Sequence, residues 1–266
     1  MNVQSVDRWA SAELYDVYMG RWSRAVAREF LPWLDVRPDR VWGDVGCGTG
    51  ALVDAIREGA RPGAIFAIDR SAEFVAHVSR RVDDPRVRFD VADAVSLPWA
   101  SGSCDAVVSG LVLNFVGDPV AAVREMARVA RAGAPVGVYV WDYARGMTML
   151  RSFWDAALDV RPQAESQDEA ARFPLCRPER LEAVFHEAGL ASVTSRAIDV
   201  PTVFRSFDDY WAPFLGGQGP APTFLASLDE VTRERIRAVL TGRLVPAADG
   251  TIPLAARGWA VRGTAR

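Results

Sequence analysis

Short apolar runs alternate with amphipathic stretches between residues 41 and 143. Five of the runs are predicted strands, and the last of them is apolar almost throughout, which is typical of a central parallel strand that is buried on both faces. The five runs are VWGDVG (41–46), AIFAID (64–69), VRFDVAD (87–93), CDAVVSG (104–110) and PVGVYVWDY (135–143). Helical spacing follows in ALVDAIRE (51–58), in SAEFVAHVSRRV (71–82) and after Asp118, with Ser71 and Asp118 as predicted N-caps. This alternation predicts right-handed crossovers and a parallel sheet with helices on both faces.

The second half of the chain is less regular. Helical spacing is found over 146–160, over 177–190 and in the charged stretch EVTRERIRAVLTGRL. Two strand-like segments, 191–204 and 251–263, are separated by an insertion rich in aromatic residues, glycine and proline. Two such segments predict an antiparallel hairpin at the edge of the sheet, within a fold of the α/β class.

The composition excludes several classes of function. A length of 266 residues suits one large domain, or one domain with an insertion. The formal net charge of −3 argues against a basic nucleic-acid-binding protein. All 31 basic residues are arginine, so a mechanism that uses a lysine is excluded.

The cysteine spacing bears on disulfide and metal sites, and the hydropathy bears on where in the cell the protein is found. The three cysteines have neither disulfide nor zinc-site spacing, so we expect no metal ion. The start of the chain lacks the basic and apolar parts of a secretion signal. The longest apolar run is too short to span a bilayer. We therefore expect a cytoplasmic protein without a membrane span.

Three glycines occupy positions 46–50, directly after the first predicted strand. Glycine permits positive φ and lets a ligand lie against the main chain, and the helix that follows offers unpaired N–H groups. In an open parallel sheet such a loop lies at the ligand crevice. The ligand itself stays open between a dinucleotide and S-adenosylmethionine, because GCGTGA also satisfies the dinucleotide pattern. Asp69, which ends the second strand, suits the ribose of either ligand.

Three further features favour S-adenosylmethionine. Asp44 stands two residues before Gly46, where a carboxylate suits a cationic amino-acid group and is an awkward neighbour for pyrophosphate. Asp93 ends the third predicted strand, where it can accept a hydrogen bond from the exocyclic amine of adenine. The third feature is the predicted hairpin at the sheet edge.

Together these residues resemble the class I S-adenosylmethionine-dependent methyltransferases, and within them the enzymes similar to those of ubiquinone and menaquinone biosynthesis. The resemblance extends over roughly residues 10 to 145 and rests on DVGCGTG (44–50), AIDRS (67–71), VADA (91–94), LPWASGSCDAVVSGLVLNF (97–115) and PVGVYVWDY. It implies a Rossmann-like, seven-stranded, mostly parallel sheet with helices on both faces, an antiparallel last strand and a helical and loop insertion before that strand.

The resemblance also implies the residues that contact the cofactor, with S-adenosylhomocysteine as the product. Asp69 would hold the ribose hydroxyls, Arg70 would lie beside the adenine, and Asp93 with Ala94 would contact the adenine edge. The methionine part would be held by the glycine loop and the end of the fourth strand, that is by Asp44, Gly46, Cys47, Gly48, Gly50, Ser109, Gly110 and Leu111.

In similar enzymes an N-terminal segment folds over the cofactor as a lid. Here Arg21 would pair with the cofactor carboxylate and Tyr18 would pack near the sulfonium, unless the aromatic residues of this segment simply enter the core. The expected parts of the chain are a helical lid (1–40), a cofactor-binding core (41–145) and the rest of the same domain (146–266), with an acceptor-site insertion around 205–248.

Variable loops are expected to supply the acceptor site. The candidates for an apolar or aromatic acceptor are Asn114, Trp141, Tyr143, Trp211 and Phe214. For the tryptophans and the phenylalanine the alternative is a satellite core. The two histidines, His77 and His186, fall in predicted helices away from the strand ends, and we assign no catalytic base.

Two other functions stay open at this point. A catalytically silent methyltransferase-like binding protein would keep DVGCGTG, and an NAD-dependent oxidoreductase would share the glycine loop. A nucleic-acid methyltransferase is disfavoured, because no basic domain is appended and SGLV (109–112) stands where an Asn/Asp-Pro-Pro-Tyr motif would be. We therefore expect a small-molecule acceptor, methylated on O, N or C, and either a monomer or a homodimer.

Overall fold

Within residues 19–216 and 219–266, which the computed structural model describes, seven strands form one sheet. The strands are β1 (Val41–Val45), β2 (Ala64–Asp69), β3 (Val87–Val91), β4 (Ala106–Gly110), β5 (Pro135–Trp141), β6 (Ala191–Phe204) and β7 (Ile252–Thr264). Their order across the sheet is β3-β2-β1-β4-β5-β7-β6. The first five strands run parallel, and β7 is antiparallel to both β5 and β6. The predicted fold class is confirmed, including its antiparallel edge hairpin.

Helices of different lengths surround this sheet. The α-helices are α1 (Arg21–Phe30), α2 (Ala51–Gly59), α3 (Ala72–Arg81), α4 (Pro119–Val129), α5 (Thr148–Val160), α6 (Glu169–Arg172), α7 (Pro178–Glu187), α8 (Phe207–Trp211), α9 (Pro220–Ala226) and α10 (Glu230–Arg243). Short 3-10 helices cover Leu31–Leu34, Leu113–Phe115, Pro162–Gln167 and Ala212–Gly216. In the described ranges, no helix has both the length and the apolar character needed to cross a membrane.

Both predicted N-caps are present. The Ser71 hydroxyl accepts a hydrogen bond from the Phe74 N–H at the start of α3. The Asp118 carboxylate accepts one from the Ala121 N–H at 2.9 Å, just before the proline that opens α4. These bonds satisfy amide groups that the first turn of a helix leaves unpaired, and they set the points at which the chain leaves the sheet.

The register of the sheet brings the ends of the central strands to one edge. Asp44 in β1 pairs with Ala67 in β2 and with Val108 in β4. Gly110, the last residue of β4, pairs with Tyr139 in β5. The loops that follow these strands therefore lie around one crevice, as expected for an open parallel sheet.

The hairpin of β6 and β7 extends beyond the end of β5. Its two strands pair as far as Phe204 and Ile252, whereas β5 pairs with β7 only up to Trp141 and Gly258. The start of α5 is tied to this extension, since the Thr148 hydroxyl accepts from the Ala255 N–H at 2.9 Å and donates to the Ala255 carbonyl. The extension thus carries α5 above the crevice side of the sheet.

Candidate functional site

The glycine loop between β1 and α2 folds back on β2. The N–H groups of Gly46 and Cys47 both donate to the Ile68 carbonyl, each at 2.8 Å. Gly46, Gly48 and Gly50 have φ values of +82°, +50° and +93°, in the left-handed region that favours glycine. This loop conformation therefore requires residues without side chains, as the glycines in its sequence predict.

Only one of the three loop glycines faces open space. A Cβ on Gly46 would lie 2.6 Å from a Val112 methyl group, and a Cβ on Gly50 would lie 2.6 Å from a Val78 methyl group. No atom of the described protein lies within 4 Å of a Cβ placed on Gly48. Gly46 and Gly50 are thus required by packing within the protein, while Gly48 marks the open side of the loop.

Asp44 is a buried carboxyl group in β1 with no surface exposed to solvent. Neither of its oxygens has a hydrogen-bond partner among the residues that the structure describes. Burial and, to a smaller extent, the nearby charge of Asp69 raise the pKa of Asp44 to about 8. A group in this condition is stabilised by a cation placed beside it, because the cation favours the charged form.

Asp69 ends β2 and is held in a fixed orientation beside the glycine loop. Its Oδ2 accepts from the Gly48 N–H at 2.9 Å, and its Oδ1 accepts from the Ser71 N–H at 2.8 Å. Burial raises the pKa of Asp69, while these hydrogen bonds and the charge of Arg70 act in the opposite direction. Each oxygen keeps a second lone pair for a ligand hydroxyl. The Arg70 side chain is exposed.

Cys47 lies in the loop with a buried side chain. Burial raises the pKa of this thiol well above its usual value, and the charges of Asp44 and Asp69 add to the effect. The thiol is therefore uncharged, and a contact with a ligand at this position would involve the main chain or an apolar sulfur atom.

The turn after β3 lies next to Asp69. The Ala92 N–H donates to the Asp69 carbonyl at 3.1 Å. Asp93 is exposed, and its carboxylate accepts from the Val95 N–H at 3.1 Å. Ala94 is half-buried. The predicted ribose and adenine residues therefore follow neighbouring strands.

The end of β4 is tightly packed against β5. The Leu111 N–H donates to the Tyr139 carbonyl at 2.8 Å, and a Cβ on Gly110 would overlap the Tyr139 hydroxyl. Ser109 is buried in the strand. Leu111 has a φ of +63°, a conformation that is unfavourable for a leucine and is held here by its surroundings.

A second group of side chains follows β4 and β5. Asn114 lies in the 3-10 helix after β4, and both polar atoms of its amide are buried without a hydrogen-bond partner in the described part of the chain. The ring of its neighbour Phe115 meets Phe173 edge to face, with centroids 5.0 Å apart. Tyr143, after β5, also packs against Phe173, with ring centroids 5.5 Å apart. We call Phe115, Tyr143 and Phe173 the aromatic trio.

The other predicted acceptor residues are part of hydrophobic packing. Phe214 stacks on Phe153 with centroids 4.5 Å apart and also contacts Trp211 at 6.1 Å. Trp211 stacks on Phe207 at 6.3 Å. Trp141 is buried within β5. These contacts correspond to the satellite core that the sequence left open as the alternative.

Two predicted contacts cannot be placed. Tyr18 lies outside the described residues, and of Arg21 only the main chain, at the start of α1, is described.

Three contributors to the site were not singled out from the sequence. Phe115 directly follows Asn114 and could have been included with it. Phe173 has no local sequence pattern that distinguishes it. Arg81 holds the glycine loop from α3, because its guanidinium donates to the Thr49 carbonyl at 2.9 Å and pairs with Asp54 at 2.8 Å.

Comparison with known proteins agrees with this geometry. Residues 43–136 match the family described as a methyltransferase domain. The chain is 31% identical over 167 residues to the demethylmenaquinone methyltransferase of Roseiflexus sp. (strain RS-1), over 58% of this chain and 69% of that protein. It is 32% identical over 146 residues to the phosphatidylethanolamine N-methyltransferase of Cereibacter sphaeroides, over 53% of this chain and 68% of that protein.

A solved structure with the same fold contains the product form of the cofactor. It is the phosphoethanolamine N-methyltransferase 2 of Haemonchus contortus, in complex with phosphomonomethylethanolamine and S-adenosylhomocysteine. The TM-score is 0.59 at 15% identity, over 96% of this chain and 57% of that chain. The sequence match and the common fold lead to one conclusion: the chain belongs to the class I S-adenosylmethionine-dependent methyltransferases.

Proposed function

We propose that this methyltransferase acts on a small acceptor that combines an apolar or aromatic part with one polar group. The observation that carries the proposal is the amide of Asn114, which is buried without a partner among the described residues. The aromatic trio begins at the next residue of the chain, Phe115, whose ring meets Phe173. An unsatisfied buried amide is unfavourable, typically by about 1–3 kcal/mol. A ligand that fits against the rings and hydrogen-bonds to the amide would remove this penalty.

The described residues fit S-adenosylmethionine at the glycine loop. Asp44 offers a buried carboxylate to a cationic group, Gly48 leaves open space beside the main chain, and Asp69 is oriented beside that space. These observations support contacts by Asp44, Gly48 and Asp69. The other cofactor contacts are proposed on the family resemblance, and they are those of Arg21, Tyr18, Gly46, Cys47, Gly50, Arg70, Asp93, Ala94, Ser109, Gly110 and Leu111.

The division of the chain into parts is also proposed. Residues 41–145 would bind the cofactor, and 146–266 would complete the same domain. In the N-terminal part (1–40), which we propose as the lid, α1 packs Trp22 against Phe204 and Phe30 against Tyr139. The contact of Tyr143 with Phe173 favours the segments around these two residues as acceptor walls, and Phe214 of the insertion (205–248) packs on Phe153 of α5.

The protein contributes alignment and exclusion of water to the reaction. When bound, S-adenosylmethionine supplies an electrophilic methyl group on a positively charged sulfur. Orientation of two reactants can contribute about 7–11 kcal/mol in well-aligned systems. Asp44 and Asp69 would orient one reactant, while Asn114 and the aromatic trio would orient the other and keep water out.

We assign no general base. His77 is half-buried on α3 and His186 is exposed on α7. Asp142, at the end of β5, accepts a hydrogen bond from the Arg145 N–H at 3.1 Å, which holds its carboxyl group within its own loop. A nucleophile that has already lost its proton, or a neutral amine, requires no base for the transfer itself.

Replacing Asn114 with leucine tests the proposed acceptor site. An acceptor is first found by screening quinols, phenols and amines for a gain of one methyl group by mass spectrometry. We expect Asn114→Leu to lower kcat/KM for that acceptor on the order of tenfold or more, because one hydrogen bond to the acceptor is lost.

Two measurements separate this effect from damage to the fold. The affinity for S-adenosylmethionine, measured by calorimetry, should be unchanged. The thermal stability should be equal or higher, because a buried unpartnered amide is removed. Unchanged kcat/KM in a correctly folded variant would contradict the proposed role of Asn114.

A further inference from the structure

A cavity of about 370 Å³ lies between the end of α5, the 3-10 helix Pro162–Gln167 and α9. Two arginines, Arg161 and Arg172, contribute to its lining, and the amides of Gln163 and Gln167 join them. Phe224 contributes an aromatic wall. No aspartate or glutamate is among the described residues that line it. In a chain with a net charge of −3, this cavity therefore concentrates hydrogen-bond donors and positive charge.

Two carboxylates directly follow residues that line the cavity, and each has a hydrogen-bond or ion-pair partner. Asp229, which interacts with the charge of Arg161, accepts from the Thr232 N–H at 2.7 Å and from the Thr232 hydroxyl at 3.0 Å. Asp168 pairs with Arg151 at 2.7 Å. A third carboxyl group, that of Glu169, directly follows Asp168 in the chain and interacts with the charge of Arg172.

Burial reduces the negative charge that Glu169 adds to this region but does not remove it. Its carboxyl group is buried and accepts a hydrogen bond from the Trp154 indole N–H. Burial is the main cause that raises the pKa of Glu169 to about 7, so the group is partly protonated at neutral pH. Trp154 in turn packs against Phe224 at 5.0 Å.

A neighbouring groove of about 740 Å³ shows the opposite balance of charge. Four acidic residues contribute to its lining, and they are Asp208, Asp229, Glu230 and Glu234. One of its two arginines, Arg237, pairs with Asp208 at 3.3 Å. An anion would be repelled there, so of these two hollows the smaller cavity is the one that suits an anion.

The smaller cavity adjoins the proposed acceptor site. The guanidinium carbon of Arg172 lies 5.2 Å from the centroid of the Phe173 ring. Phe173 is the middle member of the aromatic trio. A single residue, Arg172, therefore lines the cavity and also contacts the wall of the acceptor site.

We propose that this cavity binds an anionic group, a carboxylate or a phosphate, through Arg161 and Arg172. Guanidinium groups form short, charge-assisted hydrogen bonds with both kinds of anion. Binding of the anion does not depend on the proposed acceptor. The anion is either the acidic end of the methyl acceptor or a separate small molecule, and the two sources can be distinguished by experiment.

Titration calorimetry with phenyl phosphate tests the site directly, without any methyl transfer. Phenol serves as the neutral analogue and inorganic phosphate as the anion without a ring. We expect phenyl phosphate to bind the wild-type protein through both arginines, and any binding of phenol to be unchanged in Arg161→Gln. Arg161→Gln and Arg172→Gln should each weaken phenyl phosphate binding about tenfold or more, the loss expected for one charge-assisted hydrogen bond.

Arg180→Gln is the matched control, because Arg180 is exposed on α7 and the substitution removes the same charge. It should bind phenyl phosphate as the wild type does. Arg161 is exposed at the end of α5, so its variant is expected to fold even if the packing of Arg172 on Phe173 proves necessary for stability. Absence of binding to the wild type, or equal binding by wild type and Arg161→Gln, would overturn the proposal.

The source of the anion is determined by comparing two methyl acceptors, one neutral and one bearing a carboxylate. If the anion is part of the acceptor, Arg161→Gln raises KM only for the acidic member, and inorganic phosphate competes with it. If the anion is a separate molecule, phosphate binds through the same arginines while both members keep their KM in the variant. Both results support the anion site. Both can be told apart from a loss of the Asn114 contact, which changes kcat/KM for the neutral and the acidic acceptor alike.

Discussion

At the residue scale, Asp44 couples the stability of the protein to pH. Its carboxyl group is fully buried, and burial together with Asp69 raises its pKa from 3.8 to about 8. Without a cation beside it, the folded protein holds a proton on Asp44 at neutral pH, whereas the unfolded chain does not. A positively charged ligand would favour the ionised form and displace that proton.

Replacing Asp44 with asparagine should flatten the pH dependence of unfolding in the cofactor-free protein. The folded-state pKa lies above the unfolded value, so the folded state binds the proton more tightly. The free energy of unfolding therefore falls as pH rises from about 4 to about 8, by at most about 1.4 kcal/mol per pH unit. Asp44→Asn lacks this contribution.

Urea unfolding at several pH values from about 5 to about 9 measures this difference. Asp83→Asn is a control, because Asp83 is exposed on the surface. The control should follow the wild type. Parallel pH profiles for the wild type and Asp44→Asn would show that Asp44 is ionised in the folded protein, contrary to this account.

At the element scale, the glycine loop contains one glycine that is required by packing within the protein and another that faces the proposed ligand space. Gly46 faces Val112 within the protein, whereas Gly48 faces open space. The same substitution at these two positions should therefore have different consequences.

Gly46→Ala should destabilise the fold, by roughly 1–3 kcal/mol, because its methyl group would overlap Val112. Gly48→Ala should cost only about 1 kcal/mol, the penalty for a left-handed alanine, yet weaken S-adenosylmethionine binding on the order of tenfold, because its methyl group occupies the ligand space. Thermal unfolding and calorimetry give the two quantities. Unchanged cofactor affinity in Gly48→Ala would mean that the ligand does not approach this side of the loop.

The residues of the proposed acceptor site differ in how far the sequence could predict their surroundings. Asn114 and Tyr143 were predicted because they directly follow strands whose ends form the crevice. Phe173 lies 30 residues beyond Tyr143 and reaches it only through tertiary packing. Trp211 and Phe214 resemble acceptor residues by composition, but their rings pack on Phe207 and Phe153. Local patterns do not distinguish an aromatic wall from an aromatic core.

At the scale of the whole molecule, the alternation of apolar strands and amphipathic helices was sufficient to predict the parallel sheet. The edge hairpin was also predicted, from the strand-like segments 191–204 and 251–263. Which of them lies next to β5 is not visible in either segment, since both are strand-like. The structure places β7 between β5 and β6. The last strand of the chain therefore lies inside the sheet, and β6 forms its edge.

This arrangement has a consequence for the crevice. The outer halves of β6 and β7 extend past β5, and Thr148 ties α5 to this extension. The cavity that contains Arg161 lies at the other end of the same helix. The hairpin therefore links the parallel strands to the helix at whose far end we propose the anion site.

The central claim is that an adenosyl cofactor rests on the glycine loop with its ribose held by Asp69. Titration calorimetry of S-adenosylmethionine, S-adenosylhomocysteine and NADH with the wild type, Asp69→Ala and the exposed control Asp83→Asn tests it most directly. The account predicts that the two adenosyl ligands bind and NADH does not, that Asp69→Ala weakens binding on the order of tenfold or more, and that Asp83→Asn has no effect. Unchanged affinity in a folded Asp69→Ala variant, or preferential binding of NADH, would contradict it.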